Sequence, residues 1–262
     1  MANVVKPAMR IIAGIHAVRS ALGHGRGAIE TAWYDASRRD RRLGQLLAAL
    51  RKAGVKLQKA NRPELEQLAG GANHQGIVAL ASAPAALGEG NLDELLCALQ
   101  RPPFLLVLDH VQDPHNLGAC LRSADAAGVH AVIAPRDRAA GLTPAACKVA
   151  SGAAESVPFV QVTNLARTLR YLRESWGVRV VGTAGEADTL LYEADLTGSL
   201  ALVMGSEEKG LRRLTREQCD ELVRLPMFGV VESLNVSVAA GAALFEAVRQ
   251  RLKYTSKNSL IR

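Results

Sequence analysis

The spacing of apolar and polar positions divides this chain of 262 residues into two segments. In the first, from about Arg10 to Ala83, stretches with a helical repeat alternate with short runs typical of strands. The pattern predicts helices over 11–22, 40–54 and 62–70 and strands over 28–36, 55–60 and 74–82. This alternation predicts a small α/β sandwich, and the aperiodic stretch SAPAALGEGN that follows predicts a linker.

The second segment, from about Leu92 to the end, alternates short aliphatic runs with helical stretches. The runs lie at 104–108, 129–133, 157–160, 178–182 and 200–204. Continuous apolar runs are typical of strands that are buried on both faces, so we predict a mostly parallel sheet covered by helices. Ligands of such sheets bind beyond the carboxyl ends of the strands, and the polar residues that follow these runs are therefore the candidate functional residues.

Composition restricts the class of protein. A hydrophobic fraction of 48% and a charged fraction of 22% are typical of a soluble globular protein. No run approaches 18 apolar residues and the N-terminus has no secretory signal pattern, so we expect a cytoplasmic protein without a membrane span. The cysteines at 97, 120, 147 and 219 have no C-x-x-C spacing, which favours reduced core thiols over a metal site or a nucleophile.

The excess of positive charge lies in the first segment. Residues 1–82 carry 13 Lys and Arg against 5 Asp and Glu, whereas residues 83–262 carry 19 against 20. Eight basic residues cluster with Asp40 as the single acid among them: Arg38, Arg39, Arg41, Arg42, Arg51, Lys52, Lys56 and Lys59. Both a solvated helix face and a polyanion-binding surface are compatible with this cluster. An aromatic content of 4% argues against a platform that stacks single-stranded bases.

The stretch LDHVQDPHNLGACLRSADAAG follows the run at 104–108 and is dense in polar residues. Asn116 is placed to cap the next helix, which Gly128 ends. Capping accounts for Asn116 alone, and a solvated helix position accounts for Arg122 alone. A metal site built from Asp109, Asp113 and His115 is disfavoured, because no second carboxylate–histidine cluster is present.

Two further loops follow the run at 200–204. The first, GSEEKG, lets backbone amides approach a ligand, but it lacks the lysine of a P-loop and differs from G-x-G-x-x-G. The second leads into SLNVSVAAGAALFEAVRQRL, where either Ser233 or Asn235 is placed to cap the last helix. The small residues that begin this helix fit either core packing or a contact between subunits.

Taken together, three stretches closely resemble the ordered motifs of the SpoU/TrmH branch of the SPOUT methyltransferases. They are D-P-x-N-x-G-A-x-x-R-[ST]-A at 113–124, V-M-G-S-E-x-x-G-L at 203–211 and L-P-M-x-G-x-x-x-S-L-N-V-S-x-A at 225–239. The first segment, with GIHAV and HQGIVA, resembles the L30e-like substrate-binding domain of bacterial 23S rRNA methyltransferases. The resemblance implies an L30e-like α/β domain at 1–83, a linker and lead-in at 84–103, and an α/β catalytic domain with a deep trefoil knot at 104–262.

The resemblance also implies a reaction, namely methyl transfer from S-adenosylmethionine to the ribose 2′-hydroxyl of a guanosine in the peptidyl-transferase region of 23S rRNA. It implies a homodimer and no metal. The implied catalytic residues are Arg122, Asn116, Glu207, Ser233 and Asn235, and the implied cofactor-binding residues are Gly205, Leu225 and Leu234. Arginine is a poor base, because its guanidinium stays charged well above neutral pH. We therefore expect Arg122 to position the ribose and its phosphate and to stabilise the developing oxyanion.

Three alternatives stay open. The first is the same chemistry on a transfer RNA, although the tRNA enzymes of this branch resemble only residues 104–262 and lack the basic first segment. The second is methylation of a different 23S nucleotide that confers antibiotic resistance. The third is a catalytically silent rRNA-binding assembly factor, which the joint presence of the five implied catalytic residues disfavours.

Overall fold

The computed structural model of the chain describes residues 9–23, 29–82, 85–207 and 209–259. The chain divides into two units. The first runs up to Ala85 and also includes Ser151–Ser156, and the second comprises Ala86–Ala150 and the chain from Val157 onward.

A four-stranded sheet with three main helices forms the first unit. Its strands are β1 (Met9–Ala13), β2 (Ile29–Asp35), β3 (Lys56–Ala60) and β4 (Ile77–Ser82), and its helices are α1 (Ile15–Gly23), α2 (Arg41–Lys52) and α3 (Arg62–Ala69). The strand order is β1–β4–β2–β3, in which β4 runs antiparallel to β1 and β2, and β2 and β3 are parallel. The predicted α/β character of this segment is thereby confirmed.

The helix predicted over 11–22 is wrong in its first turn, because Met9–Ala13 is a strand that pairs with β4. Gly14 separates strand from helix with a φ of 96°, a conformation that glycine adopts without strain. Its backbone N–H donates to the carbonyl oxygen of Ile77 at 3.0 Å. The apolar spacing of 11–22 fits a helix, but the β-branched Ile11 and Ile12 at its start favour a strand.

Local capping fixes the ends of α2 and α3. The Asp40 carboxylate accepts from the backbone N–H of Arg42 at 2.8 Å, and Leu43, Leu46, Leu47 and Leu50 are the buried residues of α2. At α3, Asn61 and Glu64 form a capping box, and Gly70 ends the helix in the left-handed conformation. The sequence predicted both helices to within two residues.

An eight-stranded, wholly parallel sheet forms the second unit, in the order β10–β12–β9–β11–β6–β7–β8–β5. The strands are β5 (Leu87–Gly88), β6 (Phe104–Asp109), β7 (Ala131–Pro135), β8 (Phe159–Val162), β9 (Arg179–Thr183), β10 (Thr189–Leu190), β11 (Leu200–Gly205) and β12 (Glu221–Arg224). Each of the five predicted apolar runs overlaps a strand.

The linker predicted over 82–91 is wrong at Leu87–Gly88, because these two residues form a strand that pairs with β8. A strand of two residues is too short to show a periodic pattern in the sequence.

Helices cover this sheet. They are α4 (Leu92–Cys97), α5 (Pro114–Ala127), α6 (Pro144–Ala150), α8 (Leu165–Trp176), α9 (Arg213–Arg216) and α10 (Val236–Ser259); the short α7 (Ala153–Ser156) belongs to the first unit. Helix α5 packs against both α6 and α10. None of the helices in the described ranges combines the length and apolar character needed to cross a membrane.

The register between β6 and β11 places the candidate site. These neighbouring parallel strands pair so that Gly205, the last residue of β11, lies opposite Asp109, the last residue of β6. The loops that follow the two strands therefore leave the sheet side by side, although about a hundred residues separate them in the sequence.

Candidate active site

The loop after β6 delivers Asn116 to the site, but not as a helix cap. Asp113 is the capping residue of α5, since its carboxylate accepts from the backbone N–H of His115 at 2.9 Å and Pro114 takes the first helical position. The prediction that Asn116 caps this helix is wrong, because α5 begins two residues earlier. Asn116 lies within the first turn, and its side chain is free to point at another loop.

Glu207, in the loop after β11, binds the other two loops. Its Oε1 accepts from Asn116 Nδ2 at 3.2 Å, from Asn235 Nδ2 at 2.5 Å and from the backbone N–H of Val236 at 3.1 Å. Asn235 Nδ2 also donates to Asn116 Oδ1, at 2.9 Å. We call these three side chains the Glu207 network. The network brings together three stretches that are distant in the chain, because Asn116 is 91 residues from Glu207 and 119 residues from Asn235.

Asn235 is also the cap of α10. Its Oδ1 accepts from the backbone N–H of Ser237 at 3.0 Å and from Ser237 Oγ at 2.6 Å. Of the two predicted capping residues, Asn235 therefore has this position and Ser233 does not. Because one end of the Asn235 amide is fixed by the helix, its Nδ2 is held towards Glu207 and Asn116.

A cavity of about 670 Å³ opens beside the Glu207 network. All three residues expected to bind the cofactor, Gly205, Leu225 and Leu234, line it, as do Glu207 and Ser233. The volume is within the range of small-molecule sites. We call it the cofactor cavity.

The walls of the cofactor cavity are mixed in chemistry. Apolar side chains of Met204, Leu211, Val223 and Met227 line it, and four glycines leave stretches of its backbone uncovered by side chains: Gly185, Gly205, Gly210 and Gly229. A cavity with these walls fits a ligand that has both apolar surface and hydrogen-bonding groups.

One carboxylate in the cofactor cavity is held in its charged form. The pKa of Glu186 is lowered, first by a hydrogen bond from its own backbone amide and then by the guanidinium of Arg216, with which it forms an ion pair. Because Arg216 lines the same cavity, this ion pair places both a carboxylate and a guanidinium in the cavity wall.

The turn that begins the loop after β11 is specific to glycine. A Cβ atom on Gly205 would lie 2.2 Å from the carbonyl carbon of Gly210, which is closer than any real contact. Ser206 and Gly210 exchange backbone hydrogen bonds at 3.1 and 2.8 Å across this turn. The tight turn carries Glu207 back towards Asn116.

Arg122 lies apart from the Glu207 network within one chain. It is exposed on α5, six residues after Asn116, and at 3.6 residues per turn this spacing puts the two on different faces of the helix. Among the described residues, neither the Arg122 nor the Ser233 side chain has a hydrogen-bonding or ion-pair partner.

Comparison with known proteins identifies the family. The SpoU rRNA Methylase family matches residues 103–245, and the RNA 2′-O ribose methyltransferase substrate binding domain matches residues 11–86. The chain belongs to the SpoU rRNA methylase family. The predicted fold class, a SpoU methylase with a separate N-terminal α/β domain, is confirmed, whereas the domain boundaries and the trefoil knot stay predictions.

Relatives of this SpoU methylase have closely similar sequences. The chain is 58% identical over 243 residues to the 23S rRNA (guanosine-2′-O-)-methyltransferase RlmB of Ralstonia nicotianae, covering 92% of this chain and 96% of that protein. It is 56% identical over 241 residues to RlmB of Escherichia coli K12, covering 92% and 98%. Among solved structures, the SpoU methyltransferase AviRb from Streptomyces viridochromogenes, in complex with the cofactor AdoMet, superposes with a TM-score of 0.73 at 28% identity, covering 94% and 91%.

The SpoU site also contains a buried carboxylate and a neighbouring histidine that we did not predict as functional. Asp109 is fully buried, its Oδ1 contacts Nδ1 of His110, and its Oδ2 accepts from the backbone N–H of Arg212 at 2.8 Å. In the sequence, Asp109 is a candidate only as a metal ligand. The sequence signal that could have indicated a role for Asp109 is its position as the last residue of a buried strand. No group of three or more acidic, histidine or cysteine side chains in the described ranges is arranged to hold a metal ion.

Cys120 lies under the Glu207 network and is not a nucleophile. It is completely buried on α5, and burial, together with the charge of nearby Glu207, raises the pKa of its thiol to about 12. The thiol is therefore neutral at physiological pH.

Proposed function

We propose that this SpoU methylase transfers a methyl group from S-adenosylmethionine to the ribose 2′-hydroxyl of a guanosine in the peptidyl-transferase region of 23S rRNA. The observation that carries the proposal is the Glu207 network, which joins the loops after β6 and β11 to the start of α10 at the edge of the cofactor cavity. A pure RNA binder has no need of such a network beside a small-molecule cavity. The RlmB relatives, at 56–58% identity, support the choice of substrate.

The cofactor cavity fits S-adenosylmethionine. Its apolar walls suit the adenine ring, and its glycine-rich backbone offers hydrogen-bonding groups. We propose that Gly205, Leu225 and Leu234 hold the cofactor mainly through their backbone groups. The bound cofactor supplies a methyl group activated by a sulfonium.

The side chains around the cavity perform the remaining tasks. The attacking 2′-hydroxyl is a weak acid, so its oxygen needs charge stabilisation as the proton leaves. We propose that Arg122 provides this stabilisation and positions the adjoining phosphate. Asn116, Asn235 and Ser233 orient the ribose, and Glu207 keeps both amides in place through its hydrogen bonds. These roles use Arg122 as a fixed cation and not as a base.

Pairing of two copies would complete the site. Helix α10 exposes Val238, Phe245 and Leu252 at a spacing of seven residues, which forms an apolar stripe along one side of the helix. On α5, Ser123, which follows Arg122 in the chain, lies near Gly241 of α10, one turn after Val238. We propose a homodimer that buries the stripe and thereby brings Arg122 into a site with a partner's cavity.

The dimer can be tested by sedimentation. Phe245→Asp introduces a charge at the centre of the stripe and is expected to give monomers that fold normally but have lost methyl transfer. Tyr192→Asp is a matched control, because Tyr192 is equally exposed at 52% and lies outside the stripe. A monomeric wild-type protein with full activity would contradict the proposal.

The first unit supplies the RNA-binding surface in this proposal. All eight basic residues of the cluster between Arg38 and Lys59 are exposed, as a surface that contacts a phosphate backbone requires. The match of residues 11–86 to a substrate-binding domain supports the same role.

The experiment that tests the function is methyl transfer from labelled S-adenosylmethionine to unmodified 23S rRNA and tRNA, side by side. The modified position is mapped by its resistance to alkaline cleavage. We expect label at one guanosine of the peptidyl-transferase region. Label in tRNA alone favours the first alternative, label at another 23S nucleotide favours the second, and binding of both cofactor and rRNA without transfer favours the silent assembly factor.

A further inference from the structure

A second cavity, of about 460 Å³, lies at the carboxyl edge of the sheet in the second unit, away from the cofactor cavity. It opens where β6, β7 and β8 end. Its charged and polar lining includes His110, Asp137, Arg138, Asn164, Arg212 and Arg213. We call it the arginine cavity.

The arginine cavity carries uncompensated positive charge. Arg138 and Arg212 have no ion-pair or hydrogen-bonding partner for their side chains within the part of the chain that the structure describes. Arg213 pairs with Glu217, at 2.5 Å, and Asp137 is the one carboxylate that lines the cavity. Guanidinium groups that share a concave site repel one another and raise the local concentration of anions.

The backbone is built to hold this arrangement. The buried Asp109 fixes both the His110 ring and the backbone of Arg212. His110 and Arg138 have φ angles of 63° and 55°, a left-handed conformation that is costly for residues other than glycine. Such strain persists where the surrounding structure imposes it, which is frequent at binding sites.

A helix end adds to the positive potential. Helix α8 begins at Leu165 beside the cavity, and its capping residue Asn164 lines it. The amino end of a helix carries partial positive charge and attracts anions.

The arginine cavity borders a smaller cavity at the Glu207 network. A smaller cavity of about 350 Å³ is lined by Asn116 and Glu207 of the Glu207 network, and His110 and Arg212 line both this cavity and the arginine cavity. His110 and Arg212 therefore lie between the arginine cavity and the Glu207 network.

We propose that the arginine cavity binds a backbone phosphate of the substrate RNA, on a nucleotide next to the one that is methylated. The inference rests on the proposed function and extends it, since it gives the second unit its own contact with the RNA. Arginine forks match the geometry of phosphate oxygens, and this contact fixes the register of the strand without reading its bases.

The test uses the full-length protein and an unmodified 23S rRNA transcript. Arg138→Ala and Arg212→Ala are each expected to raise the KM for RNA about tenfold and to leave the KM for S-adenosylmethionine unchanged. The slope of log affinity against log salt, measured by direct RNA binding, should become shallower by about 0.7–0.9 for each phosphate that the variant no longer neutralises. Arg138→Lys should keep most of that slope, because a lysine retains the charge.

Arg136→Ala is the matched control. Arg136 is exposed on the same loop, lies 3.7 Å from Asp137 and does not line the arginine cavity, so its removal should leave KM and slope unchanged. A double variant of Arg138 and Arg212 with wild-type RNA affinity and salt slope would overturn the inference. A rise in the KM for the cofactor, or a loss confined to kcat, would also overturn it.

These outcomes are separable from failure of the proposed function. A wild-type protein that methylates no 23S rRNA contradicts the proposed function, whereas the salt slope of RNA binding still tests the arginine cavity.

Discussion

At the scale of single residues, Glu207 decides the geometry of the site. One carboxylate oxygen accepts from two side-chain amides and one backbone amide, and these donors come from the start of α5 and the start of α10. Hydrogen bonds to a charged acceptor are stronger than neutral ones, so a single side chain is able to hold segments that lie far apart in the sequence. Asn116 and Asn235 owe their orientation to this residue.

Arg122 provides the sharpest test at this scale. Arg122→Ala is expected to reduce methyl transfer at least about 100-fold, because it removes the cation that we propose stabilises the developing oxyanion. Cofactor affinity and Tm should stay near the wild-type values, since Arg122 is exposed and does not line the cofactor cavity. Single-turnover transfer and calorimetric cofactor binding measure the two effects. A variant that retains more than about a tenth of wild-type turnover would exclude Arg122 from the mechanism.

At the scale of elements, the close approach of α5 and α6 depends on Gly118. A Cβ atom at this position would lie 2.4 Å from the carbonyl oxygen of Ala146 and 2.7 Å from Cβ of Val149. In most helices alanine is more stabilising than glycine, but at position 118 there is no space for the methyl group of an alanine. Since α5 carries both Asn116 and Arg122, this packing also positions the site.

Gly118→Ala is therefore expected to destabilise the protein by about 1–3 kcal/mol, the usual cost of overpacking. Gly44→Ala is the matched control, because Gly44 lies in α2 with nothing within 4 Å of an added Cβ. That substitution should stabilise by about 0.5–1 kcal/mol through helix propensity. Denaturant unfolding of both variants measures the difference, and equal effects would contradict the packing argument.

The long helix α10 is stabilised by a charge that depends on pH. Glu246 is 8% exposed, and its carboxylate accepts from Arg249 Nε at 2.7 Å and from Gln250 Nε2 at 2.8 Å. These hydrogen bonds, first that from Arg249, lower the pKa of Glu246. A lowered carboxyl pKa contributes stability above the unfolded pKa, near about 4.3, and this stability is lost as the pH falls through the folded pKa.

Glu246→Gln should accordingly lower Tm at pH 7 by about 2–4 °C, equivalent to about 1 kcal/mol in a chain of this size. The difference from the wild type should begin to shrink as the pH falls below the unfolded pKa of about 4.3, and it should vanish only below the lowered folded pKa, where the wild-type carboxylate is protonated too. Thermal unfolding at a series of pH values checks this. A difference that is constant with pH would show that the charge of Glu246 is not its cause.

At the scale of the whole molecule, the uneven distribution of charge favours RNA binding by the first unit and cofactor binding by the second. The first unit carries the basic cluster, and the second carries the cofactor cavity and the Glu207 network. Binding through a phosphate backbone is sensitive to salt, and the residues of the basic cluster do not line the cofactor cavity. The two activities are therefore separable by mutation.

Replacement of Arg41, Arg42, Arg51 and Lys52 by alanine is expected to weaken 23S rRNA binding and to make its salt dependence shallower. Cofactor affinity should not change. Arg62→Ala serves as a control in the same unit, because Arg62 is already paired with Glu66 at 3.0 Å. RNA binding at several salt concentrations measures the slope, and an unchanged slope would move the RNA surface onto the second unit.

The sequence by itself determined the elements and the family. Runs such as FLLVL and LALVM are long enough to specify buried strands, and Asp40 and Asn61 are local caps whose partners lie within three residues. The three motifs identified the branch of methyltransferases. Strands and caps of this kind can be predicted from the sequence, because the residues that cause them lie within one helical turn or one strand.

Only the tertiary structure decided which of the polar residues meet. Strand β1 is a strand because it pairs with β4, and β10 and β12 are too short to show a period. Glu207 reaches Asn116 and Asn235 because β6 and β11 are neighbours in register, which no local pattern specifies. Hydrogen bonds between residues 91 or more positions apart depend on strand order and packing, and these arise from the whole chain.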